Sequence, residues 1–189
     1  MRKLYFTGLS VIMLCSFAAN AQDLNAKHNP KMDVNLSPNA NQRINPNTNS
    51  SINPKFNWNI NPIHTTSLNP IYNSAINPMN NQGYNPFVNN TINPMYQNSL
   101  HPKNPTWKGL YMYDSTDNLI GYVSVASQDV MLYFDTTSEW TGYFVRANKT
   151  MFNFFDTKGV WTGVFLCFDS VSGYNVFDKE GVWNGKHIK

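Results

Sequence analysis

The chain has 189 residues, with 14 Lys and Arg against 11 Asp and Glu, a formal net charge of +3, and 13% of its residues charged. So small a charge gives no electrostatic footing for binding nucleic acid. Beyond the N-terminal segment, no stretch is long and apolar enough to span a membrane.

Residues 1–21 combine a basic start, Met1-Arg2-Lys3, with a mostly apolar run from Leu4 to Ala19 and a small-residue site, Ala19-Asn20-Ala21. This order predicts a secretory signal peptide cleaved after Ala21, and export through the Sec pathway to the periplasm, the outer surface or the medium. Met13 and Leu14 are too large for the small residues that precede a lipidated cysteine, so Cys15 is not read as a lipid anchor. Cleavage removes Arg2 and Lys3, which lowers the charge to +1 and leaves Cys167 as the one cysteine. A lone cysteine excludes an internal disulfide. Its neighbours Phe165, Leu166 and Phe168 suggest a buried strand position.

Residues 22–105 are a repeat. Prolines stand at 30, 38, 46, 54, 62, 70, 78, 86, 94 and 102, one every eight positions. The octad reads Asn-Pro-x-x-Asn-x-x-Ile/Leu. Proline fixes φ, removes a donor and pushes its predecessor out of the helical well, so helix is excluded from about residue 29 to 105. Asn-Pro-x-x-Asn predicts a turn, with extended chain between turns. The first four octads carry little apolar surface beyond their closing Leu or Ile, too little to offset the entropy of ordering them. From Asn61 onward a second apolar site follows each proline: Ile63, Ile71 with Tyr72, Met79, Phe87 with Val88, and Met95 with Tyr96. These are the residues expected to dock. A disordered Asn-rich spacer, a stacked ribbon with Asn ladders, and a glycan-, surface- or ice-facing array that uses the regular Asn spacing all fit the pattern.

Residues 106–189 carry a second repeat and 18 of the 27 aromatic residues. Aligning Asp114, Asp135, Asp156 and Asp178 brings aromatics (Tyr113, Phe134, Phe155, Phe177) one position before. Leu119, Trp140, Trp161 and Trp183 fall five after, and Gly121, Gly142, Gly163 and Gly185 seven after. Asp followed three residues later by Asp117, Ser138, Gly159 or Gly181 is the pattern of a type I turn closed by a residue at φ > 0. The expected cross-strand pairs are Tyr113 with Leu119, Phe134 with Trp140, Phe155 with Trp161 and Phe177 with Trp183. The four glycines are expected to face Tyr111, Leu132, Asn153 and Asn175. The fold class is therefore all-β: an antiparallel meander of about four tandem hairpins, preceded by a non-helical octapeptide region.

Tyr111-x-Tyr113-Asp114 with Leu119, and Phe155-Asp156-x-x-Gly159-x-Trp161, at a period near 21, resemble the YD repeats of Rhs-type and teneurin-like secreted proteins over residues 110–186. The resemblance implies tandem hairpins building a curved sheet. It brings no catalytic residue.

His28, His64, His101 and His187 are scattered, with no metal-ligand spacing and no triad. Asp114, Asp135, Asp156 and Asp178, with Gly159 and Gly181, are assigned to turns in preference to calcium ligation. Trp140, Trp161, Trp183 and Tyr143 are the candidate aromatics for stacking on a sugar ring; hairpin packing is the competing reading. No cofactor is implied. The sequence predicts an exported, non-enzymatic protein with a structural, adhesive or scaffold role at a bacterial envelope, the alternative being a carbohydrate-binding surface module. The partners expected are an envelope glycan or another surface protein.

Overall fold

The computed structural model describes residues 33–83, 85–100, 104, 110–169 and 173–189. The signal segment 1–21, Cys15, His28 and His101 lie outside the described residues. Among the described residues there is no α-helix, and no helix is long and apolar enough to cross a membrane.

The C-terminal region forms eight antiparallel strands: β1 Leu110–Tyr113, β2 Leu119–Val125, β3 Val130–Asp135, β4 Trp140–Arg146, β5 Met151–Asp156, β6 Trp161–Asp169, β7 Gly173–Phe177 and β8 Trp183–Ile188. Each strand pairs with the next in sequence, and β8 returns to β1 through Met112 with Ile188 and Tyr113 with His187. Residues Tyr111 and Lys189 exchange backbone hydrogen bonds of 2.7 and 2.9 Å. The expected meander is thus a closed barrel, and closure removes the two open edges that a flat meander would expose.

The four tight turns follow directly from the aspartate column. In each, the Asp Oδ1 accepts from the backbone N–H groups two and four residues on, as for Asp156 with Lys158 (2.9 Å) and Val160 (2.8 Å). The residue three after the aspartate has positive φ: Asp117 64°, Ser138 71°, Gly159 84° and Gly181 77°. The aromatic partners then meet across each hairpin as the pattern requires: Tyr113 with Leu119, Phe134 with Trp140, Phe155 with Trp161, Phe177 with Trp183.

The glycine column departs from expectation. Gly121 faces Met112 and Gly142 faces Tyr133, because Ile120 and Thr141 are extra residues that shift the register. Such a bulge moves every later side chain by one position. The rings that fill the space over these glycines come from the next hairpin. A Cβ on Gly121 would lie 2.5 Å from the Tyr133 ring, and one on Gly142 2.5 Å from Phe154.

One residue from each strand, Met112, Val123, Met131, Phe144, Phe152, Leu166, Val176 and Ile188, joins a single buried cluster. No described octad residue joins that cluster, so its burial places it inside the barrel, whose eight strands enclose just enough room for side chains. The outer face is equally apolar, and the octads cover it. Ile60 packs with Met151, Phe165, Cys167, Phe177 and Trp183, and Ile52 borders that cluster. Ile76 packs with Tyr111, Tyr122, Leu132, Phe134, Tyr143 and Phe155, and Ile92 borders it.

Each octad is a pair of tight turns. The second half, expected to be extended, instead makes three-residue 3₁₀ turns at Ser50–Ile52, Trp58–Ile60, Thr66–Leu68, Ser74–Ile76, Asn90–Ile92 and Asn98–Leu100. In four of them the side chain of the mid-octad Asn caps the turn, as Asn57 Oδ1 accepts from the Asn59 N–H at 3.1 Å, while Thr65 makes no such cap before Thr66–Leu68. The Asn before each proline does the same for the first turn, as Asn61 accepts from the Ile63 N–H at 2.8 Å. Both Asn amides then donate to the preceding octad. Asn61 Nδ2 reaches Pro54 O at 2.8 Å, Asn77 reaches Pro70 O at 3.0 Å and Asn93 reaches Pro86 O at 2.8 Å. Asn57, Asn73 and Asn89 reach Ser51, Ser67 and Gly83 at 2.7, 2.8 and 3.0 Å. With both ends of the amide satisfied, an Asn can be buried without a desolvation penalty. Asn53, Asn61, Asn77, Asn85 and Asn93 are all buried.

The two repeats run past each other in register. A Cβ on Gly181 would meet Asn53 and Pro46, and one on Gly159 would meet Asn77 and Pro70. One hairpin back along the barrel corresponds to three octads forward along the band. Likewise Asn39 donates to Trp183 O at 3.5 Å, and the Phe87 ring lies 5.1 Å from Trp140.

Candidate functional site

The face of each octad that meets the barrel is its Asn-Pro and closing Ile. The positions just after proline, expected to dock, are largely exposed, although the Phe87 ring still touches Trp140. Phe56, Ile63, Ile71, Tyr72, Met79, Phe87, Val88, Met95 and Tyr96 are exposed, between 47% and 72%. The reason is geometric: Asn-Pro opens the first turn, so the two residues after it occupy the outside of the bend. No charged residue lies between Phe56 and Pro102. The band therefore shows solvent a repeated, uncharged row of large apolar side chains.

Of the four candidate stacking aromatics, three are in the interior. Trp140 and Trp183 are each 5% exposed and Tyr143 is fully buried. The Trp140 indole N–H donates to Gly142 O at 2.7 Å and the Trp183 N–H to Lys186 O at 2.8 Å. Tyr143 stacks on Phe155 at 5.7 Å between ring centres, and burial pushes its hydroxyl pKa upward. Trp161 alone is half-buried. It lines a groove of about 430 Å³ between the band and the β6–β8 side of the barrel, together with Asn53, Lys55, Asn61, Lys179 and Glu180. Among the described residues its indole N–H has no hydrogen-bond partner.

Charge in the groove is lopsided. Lys55 Nζ and Glu180 Oε2 are 2.9 Å apart, and that contact holds the Glu180 carboxyl below its ordinary pKa. Lys179 lies against Gly163: a Cβ on that glycine would sit 2.5 Å from the Lys179 Cβ. Among the described residues Lys179 forms no ion pair. Lys55, Lys179 and Glu180 carried no signal in the sequence, since the groove exists only where an octad and a hairpin tip from 125 residues away meet.

Asp114, Asp135, Asp156 and Asp178 sit at four separate turns, each occupied with its own backbone N–H groups. Gly159 and Gly181 supply the positive φ of the third and fourth turns. Asp114 is held down at about 2 by the Thr116 hydroxyl and by the Asn118 and Thr116 backbone donors. No group of three His, Cys, Asp or Glu among the described residues is placed to hold a metal ion. Cys167 is buried, with Sγ 3.9 Å from Ile52 O, and burial raises its pKa.

No protein family, curated protein or solved structure matches the chain.

Proposed function

We propose that the protein is an exported, non-enzymatic scaffold of a bacterial envelope, in which the octad band joins molecules through its outward apolar row. What supports this reading is the row itself: eight large apolar side chains, from Ile63 to Tyr96, exposed on consecutive octads with no charged residue between them. Isolated exposed apolar residues need no explanation, whereas a contiguous array of this kind marks a contact surface. The absence of charge removes repulsion between identical surfaces. The barrel supplies rigid backing, since its outer face and the inner face of the band share two apolar clusters.

Sedimentation velocity of the mature chain tests the proposal. The wild type is expected to associate as concentration rises. A variant carrying Ile71→Asn, Tyr72→Asn, Val88→Asn and Tyr96→Asn is expected to stay monomeric with an unchanged melting temperature. A wild type that remains monomeric and fails to adsorb to an apolar surface refutes the reading.

A second reading, carbohydrate binding through aromatics of the sheet, is supported by the groove along Trp161. Trp140, Trp183 and Tyr143 do not contribute to it, because they are buried.

A further inference from the structure

Trp140, Trp161 and Trp183 occupy the same station in successive hairpins, so differences in their surroundings stand out. At Trp140 the Phe87 ring of the band meets the indole, and at Trp183 the Asn39 amide donates to the backbone carbonyl. Both indole N–H groups find a backbone carbonyl. At Trp161 the corresponding band residue, three octads before Phe87, is the smaller, aliphatic Ile63, so the band brings no ring to this indole. The seam stays open there, the indole N–H is unpartnered, and the groove of about 430 Å³ results. An unsatisfied buried donor is a cost that the two sibling sites avoid. The break in an otherwise regular repeat thus coincides with the concavity.

The groove wall is an indole, which offers a flat apolar surface to the C–H face of a pyranose ring. Its rim is rich in donors. The Glu180 carboxylate is paired with Lys55, while Lys179, within electrostatic reach of the same carboxylate, forms no ion pair among the described residues, so the groove carries one cation in excess. A neutral sugar would use the ring face alone; a sugar bearing a carboxylate would also meet Lys179. Charge-assisted contacts of this kind are shorter and stronger than neutral ones. We propose that the Trp161 groove binds a uronic-acid unit of an acidic polysaccharide, with Trp161 as stacking platform and Lys179 as carboxylate partner. This inference rests on the carbohydrate reading and is independent of the apolar row.

The test is calorimetric titration of the mature chain with tetragalacturonate, the neutral cellotetraose and acetate, with intrinsic Trp fluorescence as a parallel readout. Tetragalacturonate is expected to bind, to quench Trp fluorescence, and to bind more weakly as salt rises. Lys179→Glu is expected to weaken binding by roughly tenfold or more, the effect of reversing one charged contact, while leaving the melting temperature unchanged. Trp161→Phe, which keeps an aromatic partner for Phe155, is expected to fold and to bind more weakly, whereas Trp161→Leu abolishes binding. Equal affinity for the neutral oligomer, or indifference to Lys179→Glu, overturns the acidic-ligand assignment and leaves the carbohydrate reading standing. Failure of both oligomers to bind at millimolar concentration overturns both. Binding of acetate as tight as that of tetragalacturonate reduces the site to a lone anion contact and also overturns the proposal. The oligomeric state, read on the same samples, reports separately on the scaffold role.

Discussion

Ile60→Ala probes whether the octads belong to the barrel's fold or merely accompany it. Ile60 lies in the band, yet it is 3% exposed and packs against Met151, Phe165, Cys167, Phe177 and Trp183 from β5 to β8. Its own carbonyl accepts from the buried Asn153 amide at 2.8 Å, so the backbone around it is held from the barrel side as well. Truncation to Ala removes three buried carbons, worth about 0.8 kcal/mol each in transfer, and leaves a cavity whose walls are strand residues that cannot collapse inward. The sum is about 3 kcal/mol, which for a chain of this size lowers the melting temperature by roughly 6 to 12 °C. The assay is thermal and urea unfolding followed by Trp fluorescence in a Trp58→Phe background, so that Trp140, Trp161 and Trp183 of the barrel are read without the Trp58 of the band. Ile63→Ala, three residues away and exposed, is the control and should shift stability by no more than about 0.5 kcal/mol. A barrel transition unmoved by Ile60→Ala, with faster amide exchange confined to the octads, would refute the shared core.

The remaining expectations concern single groups. Cys167, buried against Ile52 with its thiol pKa raised, should resist a thiol reagent in the native state and react at the rate of global unfolding; fast labelling in buffer would mean that the band lifts off its seat. Gly142→Ala would place a Cβ 2.5 Å from both Phe155 O and the Phe154 ring, so a loss of about 1 to 3 kcal/mol is expected from unfolding curves, as for overpacking in general, and a neutral result would mean that the bulge yields. Asp114 has a folded pKa depressed to about 2; its contribution is therefore complete above the ordinary carboxylate range and is lost as pH falls from about 4 toward 2. Asp114→Asn should flatten that part of the stability-against-pH curve relative to wild type, and superimposable curves would contradict the assigned hydrogen bonds.

The hairpins were legible because their information is local. An aspartate that binds backbone N–H groups two and four residues on, a turn residue at positive φ, and an aromatic pair that closes above it all lie within seven residues. Asp156, Gly159, Phe155 and Trp161 show the complete set. What sequence reasoning missed depends on longer range. Closure of β8 on β1 is decided by curvature accumulated over the whole sheet, which no single hairpin encodes. The shifted glycines turn on one extra residue, Ile120 or Thr141, whose side chain carries no mark of a bulge.

The octads misled for a different reason. Apolar content pointed to Ile71, Tyr72, Phe87 and Val88 as docking residues, yet of these only Phe87 meets a barrel ring, that of Trp140, because orientation in a tight turn is fixed by the backbone. Asn and Pro, polar and awkward by composition, are the inward pair because Asn satisfies its amide within the band. The candidate site divided along the same line. Three of the four aromatics singled out by spacing are hairpin packing, as their cross-strand partners require, and only the open seam distinguishes Trp161 from its siblings.

Two repeats of different length coexist because they are stabilised over different distances. Among the described residues, every hydrogen bond from an Asn side chain of the band to another octad spans six or seven residues, as in Asn73 to Ser67 or Asn77 to Pro70. The band is thus self-sufficient octad by octad and carries no memory of its phase. The phase comes from the barrel, where Gly181 meets Pro46 and Asn53, and Gly159 meets Pro70 and Asn77. Twenty-four residues of band lie against one hairpin because three whole octads fit between successive turns and a fraction of one would present Pro+1 and Pro+2 side chains to an apolar wall built for Ile, Asn and Pro. A sliding interface of identical units thereby acquires a fixed register from a few non-repeating contacts: the Lys55–Glu180 pair, the Asn153 amide on Ile60 and the Phe87 ring on Trp140. The outward row inherits that register, so its apolar side chains are held at fixed stations on a rigid body rather than along a flexible string.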